Sequence, residues 1–273
     1  MAKRVAGGIS TKDKEPVVNN PAPFDWLGEV TDEVIHDEGL ALFLYGPPKI
    51  GKSTLGSFMP NPLFLPTDPG LKKIKAKKGQ MIRNFRSLDK ALQEIKIGDH
   101  NYKSLIIDTM TGIERILSVK VAQNSGKSSI EDMGFGKGYA KLAEAVADFI
   151  NILEDIRSER NMNVLLISHS HIKPIHDPSV AESYDHHEPE LHKRTWPVIK
   201  QWVDAILFTH TEVFIDKENR KGIQGDRVIE TGYSPAWEAG NRLGWPEQIP
   251  LDGEKFCRLI ECTRSNRDFD VPF

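Results

Sequence analysis

The chain has 273 residues, 39% hydrophobic and 27% charged, with a formal net charge of −3. That is the composition of a soluble globular protein with room for one large α/β domain, and it excludes a polycation that grips nucleic acid over its whole surface. No apolar run reaches the roughly 20 residues of a membrane span, residues 1–10 lack a signal-peptide core, and Cys257 and Cys262 are too few for a disulfide framework, so a cytoplasmic setting without membrane contact is expected.

Residues 1–20 carry Lys, Arg, Gly, Ser and Asn without an apolar period and read as a flexible leader. Residues 21–37 are apolar and acidic, fit to pack on a domain edge or a neighbouring subunit. An apolar run over 40–45 then predicts a buried parallel strand. It ends in Gly46-Pro47-Pro48-Lys49-Ile50-Gly51-Lys52-Ser53-Thr54, which matches the phosphate-binding pattern G-x-x-x-x-G-K-[S/T] throughout. Glycines let backbone N–H groups converge on phosphate oxygens, Lys52 supplies a point charge, and the Ser53 hydroxyl can join a Mg²⁺ shell. ATP and Mg²⁺ are the expected ligands.

A short helix over 54–59 is stopped by Pro60 and Pro62, and 63–66 reads as a second strand. Asp68 follows that strand's C-terminal end, where it could orient an attacking water or simply make an Asp-Pro-Gly turn. Residues 71–88 hold Lys72, Lys73, Lys75, Lys77, Lys78, Arg83 and Arg86 with no acid among them. They could meet phosphates, with Phe85 as a stacking face, or form a solvated basic surface. Ser87 is the expected cap of a helix through Ile95.

Residues 104–109, SLIIDT, form an apolar strand ending in Asp108, the pattern that places a carboxylate beside the phosphate loop to hold Mg²⁺. Glu114, one turn into the next helix, is the reserve catalytic carboxylate. The polar, Gly-rich stretch 124–138 predicts a mobile loop, and 139–156 has a strong helical period. Residues 163–170 predict another buried strand with His169 at its polar end. A long polar loop is expected over 172–195, binding a partner or polymer or gating the site. Its many histidines match no common zinc spacing. Residues 196–202 open a helix, and strands over 205–214 and 226–231 predict a hairpin extending the sheet. Partial helix is expected over 235–243, and 256–262 is the last segment with a buried look.

This order of parts resembles the RecA-like ATPases: phosphate loop, carboxylate-ended second strand, aspartate-ended third strand, and a fourth strand ending in a polar sensor. It is more closely similar to the ATP-binding proteins of bacteriophages, the group that includes single-strand annealing recombinases. The matching pieces are GPPKIGKST, PLFLPTDPGL, SLIIDT, GFGKGYAKL, NVLLISHSH, KQWVDAILF and AGNRLGWP, spanning about 40–246.

The resemblance implies a RecA-like P-loop NTPase core over 21–262, α/β with a mostly parallel sheet flanked by helices and a C-terminal β-hairpin extension. It assigns Lys52 and Ser53 to ATP·Mg²⁺, Asp108 to the metal, Asp68 to the catalytic carboxylate and His169 to the sensor. The family usually has Glu where this chain has Asp68, which leaves room for Glu114. Loops 124–138 and 172–195 would face DNA, adding Lys137, Lys193 and Arg194 to the basic candidates, and Arg242 would act across a subunit interface. The implied activity is a DNA-stimulated ATPase in recombination or annealing on single-stranded DNA, as a ring or filament, in the host cytoplasm if phage-encoded. A nucleotide-switched adaptor of the helicase-loader kind and a small-molecule kinase are the alternatives. The 263–273 tail ends Asp268-Phe269-Asp270-Val271-Pro272-Phe273, which resembles the acidic tip of single-stranded-DNA-binding proteins and implies docking to a protein that recognises such tips.

Overall fold

The computed structural model describes residues 38–216 and 221–267. The leader, the 21–37 segment, residues 217–220 and the tail at 268–273 lie outside the described residues.

Among the described residues ten strands form the sheet, and its main path runs β10-β8-β7-β1-β5-β4-β2-β3. β1 (Ala41–Gly46) is buried along its whole length, as its unbroken apolar run requires of a strand covered on both faces. It pairs in parallel with β5 (Asn163–Ile175) on one side and β7 (Ala205–Asp216) on the other. β4 (Ser104–Asp108), β2 (Pro62–Pro66) and the two-residue β3 (Lys77–Lys78) continue the parallel series outward from β5. β8 (Lys221–Glu230) and β10 (Gln248–Pro250) extend the other edge antiparallel.

Alternate side chains of the central strands feed two cores. Phe43, Leu105, Leu166 and Phe208 meet α2 (Phe85–Ile97), α3 (Met110–Asn124), α4 (Lys137–Glu159) and α5 (Trp196–Trp202) on one face. Leu42, Leu44, Ile106, Leu165 and Leu207 meet α1 (Lys52–Gly56) and α6 (Gly253–Arg264) on the other. Phe256 and Leu259 of α6 are 1% and 0% exposed, and each such burial stabilises by about 1.5–3 kcal/mol. Among the described residues no helix is long and apolar enough to cross a membrane.

Three expectations are corrected. α2 starts at Phe85, with Asn84 as its cap and Ser87 as the third-position partner in a capping box. The 172–195 stretch is no open loop: β5 continues to Ile175 and returns as β6 (Tyr184–Pro189) in an antiparallel hairpin. Residues 235–243 form no helix; they supply β9 (Gly240–Asn241), which pairs with the start of β7. The hairpin predicted from 205–214 and 226–231 is present and longer at both strands.

These registers place the phosphate loop. β1 stops at Gly46, level with His169 of β5, while β5 and β7 both run on past it as hairpins with β6 and β8. The loop therefore leaves the sheet at the foot of a gap between two hairpins.

Candidate active site

Gly46 leaves β1 so close to β7 that a Cβ there would stand 2.2 Å from the Thr209 carbonyl oxygen. Gly51 has φ +122°, a conformation open to glycine alone, and turns the chain into α1. On the outer side, the Arg227 guanidinium of β8 donates to the Ile50 carbonyl at 3.2 Å.

Lys52, in the first turn of α1, is 5% exposed, and its Nζ donates to the Gly46 and Pro47 carbonyls at 2.7 Å each. Burial pushes its pKa down to about 8, and the nearby Asp108 charge opposes that shift. Asp108 ends β4 and is 6% exposed. Burial raises its pKa, a hydrogen bond from the Ser53 side chain lowers it, and the like charge of Asp68 raises it again. Lys52 and His169 act on the same carboxylate as favourable charges. Five predicted residues from four parts of the chain thus converge above one edge of the sheet.

Asp68 follows β2, and its carboxylate accepts from Thr109 Oγ1 at 2.9 Å. The Thr109 amide donates to Thr67 Oγ1 at 2.7 Å, and Thr67 Oγ1 donates to the Thr109 carbonyl at 3.0 Å. These bonds tie the ends of β2 and β4 and fix the spacing of the two carboxylates. His169 lies beside Gly46, and its buried Nδ1 has no hydrogen-bond partner. A buried polar atom left without a partner beside the loop is what a site built for a ligand leaves behind.

Other candidates lie elsewhere. The Glu114 carboxylate accepts from the His192 amide at 3.0 Å and from the Thr195 hydroxyl, tying α3 to the segment before α5. The Arg242 amide donates to the Asp204 carbonyl at 3.0 Å, and Asp204 in turn accepts from the Ala41 amide at the start of β1. Arg242 therefore sits at the sheet edge opposite Lys52. Lys72 and Lys73 end the short turn Pro69–Lys73 directly after Asp68, Lys77 and Lys78 form β3, and Lys75 and Arg83 are likewise exposed. Lys137 opens α4, and Arg194 donates to the Gly136 carbonyl at 3.3 Å, so the 124–138 and 190–195 segments meet. The histidines of 169–192 form no such site: among the described residues no group of three or more His, Cys, Asp or Glu could hold a metal.

Thr109 and Arg227 were not among the predicted residues. A hydroxyl directly after Asp108 and three before Gly112 carried the helix-cap signal that could have found Thr109, whose Oγ1 accepts from the Gly112 amide. Arg227 had no local signal, because only the β7–β8 pairing brings it to the loop.

The arrangement fits a magnesium nucleotide. Lys52 is a buried cation whose contacts are the loop's own carbonyls, so an anion entering the loop gains a charged partner without a large rearrangement. Ser53 and Asp108 give an all-oxygen donor pair, which suits Mg²⁺ because that ion takes few protein ligands and keeps waters and phosphate oxygens. A family model described as an AAA domain matches residues 38–243. No curated protein was found to match the chain.

Proposed function

The chain belongs to the AAA domain family of P-loop ATPases, and from that premise we propose that it hydrolyses ATP to ADP and phosphate while acting on single-stranded DNA. The wider setting is recombination or annealing of the bacteriophage kind, carried out by a ring or filament of copies. What carries the catalytic half of this reading is the convergence of Lys52, Ser53, Asp68, Asp108 and His169 on one edge of the sheet.

In this mechanism the triphosphate takes over the Lys52 ammonium from the Gly46 and Pro47 carbonyls. Asp68, steadied by Thr109, orients the attacking water, and the phosphoryl group transfers through positioning and electrostatics rather than covalent chemistry. Ser53 and Asp108 would hold Mg²⁺, which would supply charge neutralisation on the phosphate oxygens. His169, beside Gly46 at the end of β1, would contact the terminal phosphate. Its strand continues directly into the β5–β6 hairpin, so nucleotide state can pass along one strand to that hairpin. The basic run 72–86, further copies through Arg242, and a tip-recognising protein at the 268–273 tail complete the proposed partners.

ATP turnover measured with and without single-stranded DNA tests the reading. Turnover and ATP-dependent DNA binding are expected in the wild-type chain and lost in Lys52→Ala; no stimulation together with no ATP-dependent binding at moderate salt rejects the DNA role. One observation favours a second reading. Asp68 is shorter than the family's usual Glu and already engaged by Thr109, which suits a slow nucleotide switch serving a protein partner. In that case turnover stays low and indifferent to DNA.

A further inference from the structure

The loop before α4 presents one aromatic ring wholly to solvent. Phe135 is 102% exposed, and Gly134, Phe135 and Gly136 take successive left-handed conformations with φ of +66°, +47° and +70°. Such a backbone is rarely adopted by a bulky side chain, and here it lifts the ring away from the body of the protein. The mount beneath it is fixed. Arg194 bonds the Gly136 carbonyl, Tyr139 stacks on His192 at 4.1 Å with the planes 8° apart, and Glu114 holds the backbone of His192.

Charge decides what the ring faces. Glu131 accepts from the Tyr139 hydroxyl, and Asp132 accepts from the Ser129 amide and the Ser128 hydroxyl, so both loop acids serve the loop itself. Lys137, Lys193 and Arg194 are exposed around the same mount and take part in no ion pair among the described residues. An exposed ring beside cations that form no ion pair, with the loop's own acids engaged by its hydroxyls, matches the alternation of base and phosphate in an unpaired strand. A protein or a second copy would instead offer an apolar pocket, which has no use for the unpaired cations.

We propose that Phe135 stacks on a base of single-stranded nucleic acid while Lys137, Lys193 and Arg194 hold the flanking phosphates. This rests on the single-stranded-DNA reading above and names the contact that the 124–138 loop makes. The contact is indifferent to sequence, because every base has a face to stack.

The test is binding of a dye-labelled oligo-dT to the full chain with a non-hydrolysable ATP analogue, across a salt series. Phe135→Ala should weaken binding about tenfold with the salt slope unchanged, since stacking loses no phosphate contact. Phe135→Leu should not rescue it, whereas Phe135→Trp should, with its fluorescence quenched by the oligonucleotide. Lys137→Ala and Arg194→Ala should each flatten the slope by about 0.7. Unfolding midpoints guard against misfolding: those of the Phe135 and Lys137 variants are expected at the wild-type value because these side chains are exposed, and that of Arg194→Ala slightly below it, since it loses the bond to the Gly136 carbonyl. If the wild-type chain binds and Phe135→Ala binds equally well, the stacking assignment falls alone. If the wild-type chain does not bind, the DNA reading falls with it. If Phe135→Ala alters self-association but not oligonucleotide affinity, the ring is a contact between copies and the proposal is overturned.

Discussion

Lys52 shows what a binding site costs its own fold. A buried ammonium with its pKa pushed down to about 8 is less comfortable folded than unfolded, where lysine keeps its value of 10.5. Between those values the unfolded chain binds more protons, so stability of the nucleotide-free protein rises with pH across that window. The cost is present in full below pH 8 and amounts to about 3 kcal/mol. Burial of the Cys257 thiol and the Tyr45 hydroxyl acts in the opposite sense, raising each pKa and removing stability above its ordinary range, so the comparison is made with a variant that keeps both groups. Urea unfolding at pH 7.5, 8.5 and 9.5 should show the wild-type chain gaining stability relative to Lys52→Met. Parallel profiles for the two proteins would mean that the ammonium is not the titrating group. The phosphate loop that places Lys52 was legible because its glycines and lysine lie at fixed local spacing. Thr109 and Arg227 were less so: the first is a cap whose partner Asp68 comes from another strand, and the second reaches the loop only through long-range pairing.

At the scale of elements, the central strands were legible because burial on both faces demands continuous apolar runs, as in β1, β4 and the first half of β5. The β5–β6 hairpin was not, because its second half is polar and stands beyond the covered sheet, where no hydrophobic period marks a strand. The start of α2 slipped by three residues for a related reason: Asn84 and Ser87 bond reciprocally, and either could be read as the cap. Elements also separate the two candidate carboxylates. Asp68 hangs from the end of β2 beside Asp108, whereas Glu114 rides on α3 and binds the 192–195 segment. Asp68→Asn is therefore expected to lower ATP turnover by two orders of magnitude or so while leaving nucleotide binding intact. Glu114→Gln should leave turnover within a few-fold of wild type, and Glu114→Ala should lower the unfolding free energy by about 1–3 kcal/mol, the cost of stranding a buried donor. Turnover lost in Glu114→Gln and kept in Asp68→Asn reverses the assignment.

For the molecule as a whole, a formal charge of −3 conceals strong segregation. Acids crowd the β5–β6 hairpin and its turn, at Asp177, Glu182, Asp185, Glu188 and Glu190. The basic run lies at the far edge of the sheet, where β3 pairs with β2 and the chain returns to bond Pro66 through the Ile82 amide. Both ends of that run therefore sit at the same sheet edge as Asp68. A polyanion attracted by this strip is steered to the nucleotide side, and the attraction must weaken with salt, because the Debye length is only about 8 Å under physiological conditions. Lys72→Glu/Lys73→Glu is expected to weaken oligo-dT binding and to lower its salt slope by about 1.4, two phosphate contacts' worth. Both residues are exposed, so the fold should be unaffected by circular dichroism. An unchanged slope would show that the strip is a solvated surface and leave the phosphate contacts to other cations. Measured beside Phe135→Ala, the pair separates two sources of affinity in one molecule: charge reversal moves the slope, while loss of the ring moves the intercept alone.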